Sequence, residues 1–145
     1  MRKSLFFKKW TIALLVLALA VGLALVATAE EKALPKGPMA KTKMIIISDG
    51  KIGPATANID KGTTVIWLNN AVGNVNIFFS KGKEVQAVCA APTRFALDAD
   101  GKYNSGAIPR GATASVCFIE AGKYEYTVTG FERGTTTLTG KIVVK

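Results

Sequence analysis

Beyond about residue 43, apolar and polar residues alternate with a period of two, which predicts strands with one packed and one wet face. Met44 to Ile47 is a short apolar run closed by the turn signal Asp49-Gly50. Ile52, Ala55, Ala57 and Ile59 form an extended piece broken by Pro54, which suits an edge or a bend. After the Asp60-Lys61-Gly62 turn, Thr63 to Asn69 puts Val65 and Trp67 on one side and Thr64, Ile66 and Leu68 on the other. Asn69-Asn70 opens a loop, and Val75, Ile77 and Phe79 then share one face of the next strand. In Thr113 to Ile119, Ala114, Val116 and Phe118 alternate with Thr113, Ser115 and Cys117. Tyr124, Tyr126 and Val128 oppose Glu125, Thr127 and Thr129; after a loop at Gly130–Gly134, Leu138, Ile142 and Val144 resume the apolar pattern.

Between these strands the signal weakens. Ser80 to Lys83 reads as a Lys-Gly-Lys turn. Val85 to Gly106 holds Cys89, Pro92, Phe95 and the Asp98–Lys102 turn; periodicity leaves a short helix and a loop excursion both open there. Ile108-Pro109-Arg110-Gly111 is a turn. No segment shows a sustained 3.6-residue period. Seven or eight short strands divided by Gly, Pro, Asn and Asp turns predict an all-β domain, a sandwich or small barrel of about 100 residues. A domain of that size buries a core of its own.

The first 29 residues stand outside this pattern. Arg2, Lys3, Lys8 and Lys9 precede an uncharged apolar run from Trp10 to Val26, and Ala27-Thr28-Ala29 is a small-x-small cleavage signal. Residues 1–29 read as a secretory signal peptide, which predicts a periplasmic or secreted protein. The rival reading is an uncleaved membrane anchor; a membrane is a partner only in that case. Residues 30–42, with Pro35, Gly37 and Pro38, read as a flexible linker, and 43–145 as the domain.

Charge changes the picture little. Four of the 19 Lys and Arg lie in the first 29 residues, which carry no acid. The remaining 116 residues hold 15 basic against 10 acidic side chains, a net charge of +5. These charges are scattered singly, and neither a basic stripe nor a nucleic-acid motif is present, so no nucleic-acid partner is expected. The chain contains no His, which excludes Ser-His-Asp and Cys-His catalysis. No carboxylate pair is placed for glycoside chemistry, and the chain is not expected to be an enzyme. Asp98 and Asp100, with Asp49 or Glu84, could be grouped as an oxygen-rich metal site, but Asp-x-Asp-Gly is more simply a turn. Two cysteines in an exported chain, with none spare, predict a Cys89–Cys117 disulfide. It would close a loop of 27 intervening residues, worth roughly 3–4 kcal/mol in the chain-entropy model. A thiolate metal pair is the rival, without CxxC spacing or His to complete it.

Four stretches then carry a family resemblance. They are Ile52-x-Pro54 with Ile59-Asp60-Lys61-Gly62-Thr63-Thr64-Val65-x-Trp67-x-Asn69-Asn70; Val75-Asn76-Ile77-x-Phe79; Ser105-Gly106-x-Ile108-Pro109-x-Gly111 with Phe118-x-x-x-Gly122; and Gly122-x-Tyr124-Glu125-Tyr126 with Gly140-Lys141-Ile142-Val143-Val144. In this order and spacing the chain resembles the cupredoxins, the plastocyanin-like blue copper proteins. The resemblance implies a Greek-key β-sandwich with copper at one end, held by two His, a Cys and an axial Met, a set that suits both copper oxidation states. Carried over residue by residue, the first His position falls on Val75 and the Cys position on Val128. The second His position falls on Phe131 and the Met position on Leu138, with Thr136 as the alternative. The only Met residues are Met1, Met39 and Met44.

The expectation is therefore a divergent member in which packing has replaced a metal, with no cofactor. Copper is possible only at a non-standard site. The loops Ala71–Asn74, Ile108–Arg110 and Gly130–Thr136 would line that end, with Phe131 either an exposed aromatic contact or a plug. The expected function is a non-catalytic binding or structural module of the cell envelope, its partner an unidentified envelope protein. The alternative is a copper-binding electron-transfer protein with a non-standard site.

Overall fold

The computed structural model describes residues 40–132 and 137–145. The expected signal peptide, the linker up to Met39 and Thr136 lie outside the described residues. One sheet runs in the order β2 (Lys51–Gly53), β1 (Thr42–Ser48), β4 (Thr63–Asn69), β9 (Thr113–Phe118) and β6 (Cys89–Thr93). The second runs β3 (Thr56–Ile59), β11 (Leu138–Val144), β10 (Gly122–Thr129), β5 (Val75–Phe79), β8 (Tyr103–Ile108) and β7 (Ala96–Leu97). β1 lies parallel to β4 and β3 parallel to β11; the other pairs are antiparallel. Eight strands have five residues or more, and β2, β3 and β7 are short edge pieces. The two-sheet sandwich is the architecture that the alternation predicts.

The inward faces are the ones read from the sequence. Val65 and Trp67 are fully buried on β4, as are Ala114, Val116 and Phe118 on β9; Val75, Ile77 and Phe79 on β5 are at most 1% exposed. Trp67 is the centre. Its ring meets Tyr126 edge to face at 5.4 Å, Phe95 at 5.5 Å and Phe79 at 6.2 Å. A buried aromatic removes roughly 200 Å² from water, up to about 5 kcal/mol at ~25 cal/mol per Å². Pro54 sits where the chain leaves β2, at the edge of one sheet, to enter β3, at the edge of the other.

Three readings are corrected. Lys41 and Thr42 belong to the domain rather than to the linker: Thr42 opens β1, and Lys41 O accepts from Thr64 N at 2.8 Å. The Lys-Gly-Lys segment opens a helix, α1 (Gly82–Ala87). Six residues are too few to show a period, and Val85 is its one buried large side chain. The third correction concerns the cysteines. Both are free. In the β6–β9 register Cys89 stands across from Phe118 and Cys117 across from Ala90. Phe118 points into the core, so Cys89 points inward with it. Cys117, one residue away, points outward. An offset of one residue puts the two Cβ atoms on opposite faces, where no bridge forms without backbone movement.

Candidate functional site: the end of the sandwich around Val75 and Phe131

Asn69, the last residue of β4, organises this end. The alternation that buries Val65 and Trp67 also turns Asn69 inward, and it is fully buried. Its Nδ2 donates to Gly73 O and to Ile108 O, each at 2.8 Å, and its Oδ1 accepts from Ala71 N at 2.9 Å. Its backbone N donates to Ala112 O at 3.0 Å and its O accepts from Gly111 N at 2.7 Å. One residue thus ties the loop after β4 to the end of β8 through its side chain, and to the following turn through its backbone. Buried polar groups must be paired in this way or cost free energy.

The third loop closes on the same place through Gly130. Its φ is +95°, and a Cβ there would meet Asn74 O at 2.8 Å and Val75 Cα at 3.4 Å. Glycine lets the chain leaving β10 pass against the start of β5, and Phe131 follows into the core, 8% exposed. Phe131 is therefore a plug and not a surface contact. Val75 lies across from Ile108, and Val128 lies between Ile77 and Leu138. Val75 and Val128 are buried, and Leu138 is half-buried against the same core.

The four positions that the resemblance assigns to copper ligands thus belong to one apolar cluster. Copper does not fit them. Val75, Val128, Phe131 and Leu138 carry no lone pair for a metal. The nearby polar side chain, Asn69, already uses both amide hydrogens and its oxygen within the protein. Cys89 and Cys117 lie on β6 and β9, in the other sheet from Val128.

The acidic turn is a structural feature as well. Asp98 Oδ1 accepts from Lys102 N at 2.8 Å and Asp100 N at 3.0 Å, and Oδ2 accepts from Asn104 Nδ2 at 3.2 Å. These donors, the Lys102 amide first, hold the Asp98 carboxyl below the usual range. Among the described residues no group of three or more His, Cys, Asp or Glu is placed to hold a metal ion. Burial pushes the Cys89 thiol up to about 12, with the Cys117 sulfur adding to the shift, so Cys89 is not a ready thiolate ligand.

Sequence reasoning missed the role of Asn69, whose only signal was a polar residue at an inward position of β4. Alternation places Tyr126 and Trp67 on inward faces but gives no sign that the Tyr126 phenol oxygen and Trp67 Nε1 are buried without a hydrogen bond. Burial pushes the Tyr126 phenol up to about 12, the Trp67 indole N–H opposing that shift.

No family model and no curated protein matches the chain. Solved structures of amicyanin do. A mutant in its reduced Cu(I) form at pH 4 superposes with a TM-score of 0.52 at 21% identity, covering 72% of this chain and 82% of that one. A second, reduced mutant gives 0.52 at 19% identity, over 76% and 87% of the two chains. An oxidized mutant gives 0.51 at 22%, over 75% and 85%. At this identity the likeness shows the fold alone, and that fold is cupredoxin-like.

Proposed function

We propose that the chain is an exported, non-catalytic binding or structural module that keeps the cupredoxin-like frame without type 1 copper. One observation carries this reading. Val75, Val128, Phe131 and Leu138, where the resemblance places the ligands, pack together at one end of the sandwich, three of them buried and the fourth half-buried. An empty polar pocket would be costly without partners, whereas a sealed apolar end extends the core. The frame is held by Asn69 rather than by a metal. The structures it resembles include Cu(I) amicyanin, but the chain has no His with which to build a comparable donor set.

Export follows from the reading of residues 1–29 as a signal peptide. Among the described residues no helix is long and apolar enough to cross a membrane. The partner is an envelope or extracellular protein, reached through loops and strand edges of a rigid scaffold. The test is the metal content of the protein recovered from copper-supplemented cells. Substoichiometric copper supports the reading, and one copper per chain that survives dialysis sinks it.

A further inference from the structure

We infer that this module takes up an extended, acidic segment of a partner protein as an added strand along the free edge of β10. The inference rests on the binding-module reading and gives it a site. β11 pairs with β10 from Gly122 to Val128. On the other side β5 pairs with Thr127 to Thr129, and its last residue, Phe79, falls opposite Tyr126 in that register. The chain then turns away at Ser80 into α1, which packs on β5, β6, β7 and β8. From Gly122 to Glu125, no strand among the described residues pairs with that side of β10. Four residues of strand edge are about 14 Å long.

Space lies beside this edge. A groove of about 600 Å³ runs between Ser80, Lys81 and Glu84 on the α1 side and Lys123, Glu125 and Thr127 on β10. The sheets' outer edges are poor alternatives. β2, β3 and β7 have two to four residues. β6 carries Pro92 and a register shift between Ala90 and Thr93, devices that discourage pairing. β10 therefore offers an unpaired strand edge that has a groove beside it and carries none of these devices.

Charge selects the occupant. Glu125 is paired with Lys141 at 3.0 Å and Lys81 with Glu84 at 3.4 Å. Lys123 also lines the groove and has no ion pair among the described residues. A strand laid here meets one unanswered positive charge, and hydroxyls at Ser80 and Thr127. The fitting segment is extended, polar and acidic where it passes Lys123. Main-chain hydrogen bonds supply its affinity and the charge its selectivity.

The probe is a capped seven-residue peptide of alternating valine and threonine with one central glutamate, added to the ¹⁵N-labelled protein. The expected result is amide shift changes and slowed hydrogen exchange confined to Gly122–Glu125 and the Ser80–Glu84 wall. A lysine in place of the glutamate, or Lys123→Glu in the protein, weakens binding roughly two- to fivefold, as for an exposed ion pair. Methylating alternate peptide nitrogens on the edge-facing side abolishes it. Shifts elsewhere, no shifts, or equal binding of the methylated peptide overturn the inference. The groove lies away from Val75 and Phe131, so this experiment and the copper measurement fail independently.

Discussion

Gly140 stands directly across from Tyr126 in the β10–β11 pair, and the space its side chain would fill is occupied by the Tyr126 ring. A Cβ at 140 would overlap the phenol end of that ring. The ring cannot swing aside, because it is held edge to face against Trp67 and beside Phe79. Gly140→Ala is expected to destabilise the domain by about 3 kcal/mol, at the upper end of overpacking effects. For a domain of this size that is a fall of roughly 12–24 °C in Tm. Urea unfolding of the variant checks it, and a change below about 0.5 kcal/mol would show that the ring is free to move.

Asn69 makes three side-chain hydrogen bonds at the sealed end. Asn69→Ala leaves Gly73 O, Ile108 O and Ala71 N without those partners, at a cost of about 3 kcal/mol. Asn69→Asp is expected to be as damaging, because a carboxylate cannot donate to the two carbonyls. Faster hydrogen exchange at the Ala71 amide, together with lower denaturant stability, is the signature. Full stability of either variant would remove Asn69 from the account.

Alkali should destabilise the domain chiefly through two groups. The Cys89 thiol is raised from 9.0 to about 12 and the Tyr126 phenol from 10.0 to about 12, both by burial. The native state therefore keeps protons that the unfolded state releases above about pH 9. Their contribution is full below the unfolded values and is lost as pH rises toward about 12. Denaturant midpoints measured from pH 8 to 11 should fall. Cys89→Val and Tyr126→Phe should each flatten the fall, and Tyr126→Phe should be neutral or stabilising at pH 7, since it deletes an unpaired buried hydroxyl.

Acid acts through carboxyls instead. Asp98 and Asp60 are both held below the usual range, Asp98 first by the Lys102 amide and Asp60 first by the hydrogen bond from Lys41. Their contribution is present above about pH 4, the ordinary carboxylate value, and is lost as pH falls through the lowered ones. Asp98→Asn should reduce stability at pH 7 and flatten the acid limb below about pH 4. An unchanged limb would contradict the role given to this turn.

The cysteines give a covalent check. Intact mass after alkylation in denaturant, without reductant, should show two modified thiols. Under native conditions Cys117, on the outer face, should react well ahead of Cys89. Absence of any alkylation would mean a bridge that the β6–β9 register does not allow.

How much of this was legible depends on how local each signal is. The faces of β4, β5, β9 and β10 follow from alternation within five to eight residues, so Trp67, Phe79 and Val128 could be placed from the sequence alone. β6 to β8 could not. Ala91 and Arg94 adopt left-handed φ of 46° and 73°, the β5–β8 register shifts between Asn76 and Phe78, and Ser105 points inward. Each breaks the period of two. The side-chain bonds of Asn69 reach as far as residue 108 and are invisible locally. The cysteine reading failed because an even count says nothing about a one-residue offset between strands. At the candidate site, the chemical nature of the four positions could be read directly, but their shared burial and the closing contact of Gly130 on Asn74 and Val75 needed the fold.

Packing stands where the resemblance would place a metal, and a Cu(II) titration of the exported domain decides between the two. The visible spectrum and Tm are recorded with and without copper. The account predicts no intense thiolate-to-copper charge-transfer band and an unchanged Tm, because a ligand that does not bind the native state does not stabilise it. An intense blue band accompanied by a rise in Tm would contradict it.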